Sequence, residues 1–158
     1  MKALTIHQPF ASLVMAGAKP YEFRYLRPPA ALIGQRIVIH ASAQVIRKPV
    51  ASRLFVAVRD QVLSSIVTAT LLPDMALPIL ARAWEPSGEP LPLSAGLGTV
   101  IIGEPCRAAD IAHDPGHPLA DDEQDLWAWP MLNPIRWPLP VRVSGSQGFW
   151  HWPHEVLV

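Results

Sequence analysis

The stretch GAKPYEFR, residues 17–24, places three ionisable side chains close together: Lys19, Glu22 and Arg24. A lysine beside a carboxylate can be held for proton transfer, and an arginine can bind a phosphate through two parallel N–H donors. The same charges on a solvated turn would form a surface ion cluster of little energetic weight. The stretch therefore predicts either one wall of a site for a polar ligand or an exposed ion cluster.

The segment that carries two of these charges has the pattern of a β-strand. Residues 21–25 alternate aromatic and charged side chains, and this period of two is typical of a strand. Glu22 and Arg24 should then lie on one face, roughly 6–7 Å apart along the strand. We therefore expect the carboxylate and the guanidinium to be direct neighbours.

The histidines give weaker signals. His113 and His117 have the i, i+4 spacing of helical metal ligands, but the intervening Asp-Pro-Gly argues against a helix. His151 and His154 have no supporting cysteine or carboxylate pattern, whereas His40 ends a predicted strand and could face a pocket. Phosphate loops, dinucleotide fingerprints and GxSxG motifs are absent from the sequence, so neither a metal nor a cofactor is predicted.

Large aromatic residues crowd the last quarter of the chain. Exposed rings could stack nucleobases, which contributes about 1–3 kcal/mol per base. Most large rings instead fill cores, so we expect one or two at most to be exposed. The residues concerned are Trp127, Trp129, Trp137, Phe149, Trp150 and Trp152.

The net charge of zero hides an asymmetry along the chain. Residues 1–59 hold nine Lys or Arg and one Glu, whereas residues 60–158 hold four Lys or Arg and twelve Asp or Glu. Such a contrast is a recognised hint of a basic binding surface. The alternative is that the two parts interleave in space and their charges pair across the fold.

Length and composition predict one folded domain over residues 1–158. Half of the residues are hydrophobic and 16% are charged, which is typical of a globular protein. The single Cys106 rules out an internal disulfide framework. No segment approaches the roughly 20 apolar residues of a membrane span, and the sequence His-Gln-Pro at residues 7–9 interrupts any secretory signal. We therefore expect a cytoplasmic protein without a membrane partner.

The pattern of strands and turns favours a small β-barrel over a helical bundle or a parallel sheet. Strands are predicted at residues 2–7, 21–25, 36–41, 99–102, 126–137, 139–143 and 149–152, the fifth and sixth being separated at Pro138. Helices are predicted at residues 10–17 and 45–66, of which only the second is long. Residues 68–97 are too rich in proline and glycine for a firm prediction.

Several stretches occur in an order that resembles the ASCH family of the PUA-like superfamily. They are ALTIHQPFASLVMAGAKPYEFR, RIVIHAS, a basic helix, GTVIIGEP and SGSQGFWHW. The most specific element is GxKxxExR, supported by a Gln-Pro step before the first helix and by a Gly-aromatic-Trp ending. These elements comprise Gly17, Lys19, Glu22 and Arg24, then Gln8 and Pro9, and finally Gly148, Phe149 and Trp150. The resemblance covers most of the chain and is poorest over residues 68–95.

The resemblance implies an α+β, β-rich fold, namely a PUA-like small β-barrel with flanking helices. It also implies a cleft, lined by the GxKxxExR segment, that accepts single-stranded RNA or a modified nucleobase or nucleoside. Lys19 and Arg24 would contact a phosphate or a base carbonyl, and Glu22 would accept hydrogen bonds from a base edge or orient Lys19. The remaining ligand-binding residues would be Gln8, His40 and Trp150.

Two other functions stay open. The first is a hydrolase, either a metal-independent ribonuclease or an acetylcytidine-type amidohydrolase, with Lys19 and Glu22 as its proton-transfer pair. In the amidohydrolases that this resemblance includes, a threonine stands at the position of Glu22, and a carboxylate cannot act as that hydroxyl does. The second is a protein-interaction domain without a small ligand, in which the acidic part of the chain neutralises the basic part.

Overall fold

The chain forms a mixed α+β fold built on one curled sheet. The computed structural model describes residues 1–62, 64–85, 89–112 and 119–156. Within these residues, the strands are β1 (Lys2–Ile6), β2 (Tyr21–Arg24), β3 (Arg36–Ala41), β4 (Ala95–Ile102), β5 (Cys106–Arg107), β6 (Trp127–Arg142) and β7 (Phe149–His151). The strand order is β2-β6-β4-β3-β1-β7, and β5 also pairs with β6. The pairing of β1 with β3 is parallel, and the other pairings are antiparallel.

Contacts between strands at its two ends curl the sheet into a half-barrel. The rings of Trp129 on β6 and Phe149 on β7 are stacked, with centroids 5.9 Å apart and planes 8° from parallel. Nη2 of Arg24 on β2 lies 3.4 Å from the carbonyl oxygen of Thr5 on β1. The two edges of the sheet therefore meet beside the end of β2.

The long strand β6 corrects the prediction of two strands separated at Pro138. One continuous strand runs from Trp127 to Arg142. Three of its prolines, Pro134, Pro138 and Pro140, lie at positions that have no partner in the ladder with β4. Proline has no N–H to donate and is tolerated where a strand does not need one. Two register shifts in the ladder create such positions.

The helices also differ from the sequence prediction. They are α1 (Phe10–Met15), α2 (Lys48–Arg59), α3 (Ile66–Ala69), α4 (Pro73–Trp84) and α5 (Ala108–Ile111), with 3-10 turns at Ala30–Leu32 and Asp121–Glu123. The helix predicted over residues 45–66 ends at Arg59, because the chain turns through Gln61 with a φ of 55°.

A second long helix, α4, was missed because it contains two prolines. Pro73 occupies the first turn, where its missing N–H is not needed. Pro78 lies inside the helix and is exposed, while Ala76 and Leu80 are buried against Val58 of α2. Packing of this apolar face outweighs the low helix propensity of proline, since most helical stability in proteins comes from such packing.

The sheet has two faces, and both carry apolar clusters. The inner face packs against α1 and bears Leu4, Ile6, Ile37, Ile39 and Trp129. The outer face bears Ala3, Val38 and Trp152, with Trp150 packed against them. Burial of each large aliphatic side chain contributes about 1.5–3 kcal/mol. The six aromatic residues of the last quarter are all buried or half-buried, so none is a fully exposed stacking platform.

No helix among the described residues is both long and apolar enough to cross a membrane.

Candidate functional site

The turn after α1 places Lys19 on the inner side of β2. Gly17 adopts a φ of 75°, a left-handed conformation that suits glycine at the end of a helix. The N–H groups of Ala18 and Lys19 both donate to the carbonyl oxygen of Leu13. The Lys19 ammonium then donates to Oε2 of Glu22 at 2.7 Å and to the carbonyl oxygen of Tyr21 at 2.5 Å. Lys19 is therefore a buried, paired cation rather than a solvated one.

Glu22 lies at the centre of the charged trio. Its Oε1 accepts a hydrogen bond from Nε of Arg24 at 2.9 Å, so both carboxylate oxygens bind cations. Only 7% of Glu22 and 3% of Lys19 are exposed. Burial by itself would raise the pKa of Glu22, but the charges and hydrogen bonds of Lys19 and Arg24 outweigh it and hold that pKa below its usual value. Glu22 is therefore ionised at neutral pH, and the trio carries one net positive charge.

Arg24 is the member of the trio that reaches solvent. Its side chain is 36% exposed, compared with 10% for the side chain of Glu22. The guanidinium carbon lies 5.9 Å from the ring centroid of Trp129. The prediction that Glu22 and Arg24 share one face of a strand is confirmed by their direct contact. The trio thus combines two buried charges with one accessible guanidinium.

Strand register places tryptophans beside this trio. Glu22 lies opposite Trp129, and Arg24 lies opposite Trp127. Directly opposite residues of an antiparallel pair point to the same face. The alternation along β6 therefore aligns both indole rings with the charged face of β2.

Two further arginines meet Trp127. Arg107 of β5 also lies opposite Trp127 in the sheet, and its guanidinium carbon is 4.0 Å from the centroid of the indole ring. The guanidinium carbon of Arg27, from the segment that follows β2, is 5.0 Å from the same centroid. Arg24, Arg27 and Arg107 together are called the arginine rim below.

An open cleft lies on the outer face of the sheet. Its volume is about 370 Å³, and its lining includes Thr5, His7, His40, Ser42, Ser144 and Gln147. The residues that line it include no Asp, Glu, Lys or Arg among those the structure describes. The cleft therefore suits an uncharged polar group.

His40 forms the buried floor of the outer cleft. Its Nε2 lies 2.9 Å from the carbonyl oxygen of Val143, which requires Nε2 to carry a proton. Its Nδ1 lies 3.2 Å from Oγ1 of Thr5, a hydroxyl that accepts from Nε1 of Trp150 at 3.0 Å. The proton of that hydroxyl can go to Nδ1 or to the carbonyl oxygen of Ser146. Burial lowers the pKa of His40, although the hydrogen bond to Val143 opposes that change. The neutral imidazole is therefore favoured.

The predicted site residues fall into two groups. Lys19, Glu22 and Arg24 meet at the inner face, whereas His40 and Trp150 lie at the outer face. Strand β1 separates the groups because alternate residues of a strand point to opposite sides. The two groups are linked through Thr5, whose backbone oxygen contacts Arg24 and whose hydroxyl contacts His40 and Trp150.

Gln8 belongs to neither group. Its Oε1 accepts from the backbone N–H of Ser12, and its Nε2 donates to Oγ of Ser12 and to the carbonyl oxygen of Pro92. The side chain is buried, and it binds the start of α1 to the segment before β4. These contacts give Gln8 a structural role in this arrangement.

Thr5, Arg27 and Arg107 contribute to these sites but were not candidates in the sequence analysis, whereas Trp127 was named there only among the aromatic rings. The i, i+2 spacing of Trp127 and Trp129 was a signal for a shared face. Thr5 interrupts an apolar strand, which was a weaker signal. Nothing in the sequence places Arg107 beside Trp127, since only the pairing of β5 with β6 does so.

The structure gives no support for a metal centre within the part of the chain that it describes. No group of three or more His, Cys, Asp or Glu residues there could hold a metal ion. His113 and His117, whose spacing suggested metal ligands, lie outside the described residues.

Comparisons with known proteins agree with this architecture. A crystal structure of ASCH from Zymomonas mobilis matches with 12% identity and a TM-score of 0.50, covering 96% of this chain and 87% of that one. A mutant of the same protein matches with 12% identity and a TM-score of 0.49, covering 96% and 88%. No curated protein matches the chain.

The prediction of an α+β, PUA-like fold is confirmed, since the curled half-barrel with its helices matches the ASCH structure. This structural similarity, at 12% sequence identity, establishes the fold alone. The family itself is established from the sequence, because the model of the ASCH domain matches residues 4–88, which is more than half of the chain. The chain therefore belongs to the ASCH domain family.

Proposed function

We propose that this protein binds single-stranded RNA, or a modified nucleobase or nucleoside, at the inner-face trio of Lys19, Glu22 and Arg24. The observation that carries the proposal is the half-exposed Arg24 guanidinium, whose Nε is fixed by a buried carboxylate at 2.9 Å. A guanidinium held in this way loses little conformational freedom when it binds, and its planar donors match a phosphate or a base carbonyl. Arg24 is therefore the proposed ligand contact.

Lys19 and Glu22 position Arg24 for that ligand contact. The ammonium of Lys19 is occupied by Glu22 and by the carbonyl oxygen of Tyr21, and its side chain is only 3% exposed. Both oxygens of Glu22 are also occupied. We therefore assign these two residues the task of positioning Arg24. The one net positive charge of the trio favours an anionic ligand.

The basic character of the first part of the chain supports an RNA ligand. Among the described residues, one ion pair joins residues 1–59 to a distant part of the chain, Arg27 with Glu104, and Arg59 pairs with its neighbour Asp60. Both pairs are well exposed, and such pairs are screened by salt and worth little. Pairing across the fold is thus limited, which favours a basic binding surface over a neutralised one.

The outer cleft is a candidate location for a nucleoside-sized group. Small-molecule sites commonly have volumes of about 300–1,000 Å³, and this cleft has about 370 Å³. His40 and Trp150 would contribute there, as predicted from the sequence. Their role as ligand-binding residues, like that of Gln8, stays a prediction.

A hydrolase is the second candidate function. The observation that favours it is the contact of 2.7 Å between Nζ of Lys19 and Oε2 of Glu22, within the range for proton transfer. Because Glu22 is ionised, it would accept a proton and Lys19 would supply one. The substrate would be RNA or an acetylated cytidine.

The test is binding of a short fluorescent single-stranded RNA at low and moderate salt. We expect Arg24→Ala to weaken binding by tenfold or more, since a hydrogen bond to a charged group contributes about 1.5–3 kcal/mol. Affinity of the wild type should fall steeply as salt is raised. Arg53→Ala is the control because Arg53 is an exposed arginine on α2, and it should bind as the wild type does.

The same samples separate the alternatives. An RNA affinity that changes neither with salt nor in Arg24→Ala would contradict the proposal. RNA should remain intact on a gel, whereas cleavage that disappears in Lys19→Met, with an unchanged circular dichroism spectrum, would favour the ribonuclease. If the wild type binds no RNA, turnover of acetylcytidine tests the amidohydrolase. If the protein neither binds RNA nor turns over acetylcytidine, the protein-interaction domain is the remaining candidate function.

A further inference from the structure

We propose that the inner-face site continues along the whole arginine rim, so that Arg24, Arg27 and Arg107 bind successive phosphates of one RNA strand. This inference rests on the proposed function and specifies its ligand as an oligonucleotide rather than a free nucleoside. The observation behind it is that three arginines from three segments of the chain meet two tryptophans on one face of the sheet.

The register of the sheet gives the rim its direction. Arg24 of β2 and Arg107 of β5 flank Trp127 of β6 on its two sides. The guanidinium of Arg24 lies over Trp129, whereas those of Arg27 and Arg107 lie over Trp127. Residues two apart on a strand are separated by roughly 6–7 Å. The positive charges are therefore spread along β6 instead of converging on one point.

The tryptophans hold the guanidinium groups in a useful orientation. A guanidinium can stack its flat face on an aromatic ring, and its N–H donors lie in its plane. The guanidinium carbon of Arg107, 4.0 Å from the centroid of Trp127, lies at the distance of such stacking. Its Nη1 donates to the backbone carbonyl oxygen of Asp125 at 3.2 Å, so an oxygen acceptor reaches the edge of this guanidinium. Trp127 therefore acts as a positioning residue for two phosphate contacts.

The carboxylate that pairs with Arg27, Glu104, does not block the rim. Arg27 contacts Glu104 at 3.1 Å, but their side chains are 51% and 73% exposed. A solvated pair of this kind contributes about 0–1 kcal/mol, so a phosphate can replace the carboxylate at little cost. The arginine rim is consequently half-exposed and positively charged, and a phosphate can displace Glu104 from Arg27.

The chain supplies a closely matched control on helix α2. Arg59 pairs with Asp60 and lies 5.7 Å from the ring of Phe55, as Arg27 pairs with Glu104 and lies near Trp127. Arg53 donates to a backbone carbonyl, as Arg107 does. The double variants Arg27→Ala/Arg107→Ala and Arg53→Ala/Arg59→Ala therefore remove equal charge and comparable contacts, one pair on the rim and one away from it.

The experiment measures fluorescence anisotropy of labelled oligouridylates of one, two, four and eight nucleotides at 50–300 mM salt. Wild-type affinity should rise with length beyond the mononucleotide. For single strands, each lost phosphate contact reduces the slope of log affinity against log salt by about 0.7, so the rim variant should lose about 1.4. The α2 variant should keep the wild-type slope and should bind uridine monophosphate as the wild type does.

The results distinguish this inference from the proposed function. Equal slopes of log affinity against log salt for the rim variant and the α2 variant would contradict phosphate binding along the arginine rim, even if Arg24→Ala abolishes binding. A wild-type affinity that does not depend on oligonucleotide length would contradict it as well. Oligonucleotide binding that is unaffected by Arg24→Ala would instead contradict the proposed function itself.

Discussion

Glu22 determines the geometry of the candidate site at the scale of single residues. One buried carboxylate binds a buried ammonium through one oxygen and a half-exposed guanidinium through the other. Each oxygen of Glu22 thus already accepts one hydrogen bond from a cation. The carboxylate therefore holds the guanidinium of Arg24 in place.

Replacing this carboxylate should destabilise the protein. In Glu22→Gln the ammonium of Lys19 becomes a buried cation without a charged partner, and such changes destabilise by about 3–5 kcal/mol. Urea denaturation followed by circular dichroism measures the free energy of unfolding.

The matched control is Glu104→Gln, which removes an exposed partner of an arginine. Its effect should be within about 1 kcal/mol of the wild type. Similar losses in the two variants would show that the Glu22 pair is no more than a surface ion pair.

At the scale of elements, the segment between β6 and β7 is shaped by its contact with His40. A Cβ on Gly145 would lie 2.4 Å from Cε1 and 2.6 Å from Nδ1 of this imidazole. The ring cannot easily move, because hydrogen bonds to Val143 and Thr5 hold it. Glycine is therefore required for the segment to cover the outer cleft.

Gly145→Ala should accordingly displace this segment. Overpacking of this kind destabilises by about 1–3 kcal/mol, and the hydrogen bond between His40 and Val143 should be lost. Thermal unfolding and the NMR signal of the His40 ring report the two effects. Ser146→Ala is the control, since its side chain is exposed and its backbone carbonyl still accepts from Thr5. If Gly145→Ala is as stable as that control, the close contact does not constrain the segment.

At the scale of the whole molecule, Glu22 links stability to pH. Its pKa in the folded state is lowered from about 4.5, so the unfolded chain binds the proton more readily. The stabilisation is complete above the unfolded pKa and is lost as the pH falls through the folded pKa.

We therefore expect the free energy of unfolding to fall below about pH 4.5, and part of that fall should disappear in Glu22→Gln. Urea titrations of both proteins at pH 7, 5, 4 and 3 measure the difference. A stability difference between the two proteins that stays constant over this range would contradict a lowered pKa for Glu22.

Several features of the fold could be predicted because they depend on neighbours in the chain. Alternation over residues 21–25 placed Glu22 and Arg24 on one face, and their contact confirms it. The first predicted helix closes at Gly17, and the positive φ of this glycine follows the end of α1 at Met15. Short strands separated by prolines indicated a small β-barrel rather than a helical bundle or a parallel sheet, and the structure has a curled half-barrel. The local patterns failed where packing opposed them, as in α4 with Pro78 inside it and in β6 with its prolines.

The sequence by itself therefore determined the α+β class, the ASCH resemblance and the charged trio, since each is encoded in local patterns: the periodicity of successive elements, the order of short motifs, and the spacing of charges within one segment. The tertiary structure alone decided that His40 and Trp150 lie across β1 from that trio, because the two faces of a strand are assigned by what packs on them. It also decided that Arg107 joins Arg24, because strand pairing brings together residues 83 positions apart, and no periodicity in the chain encodes a distance of that length.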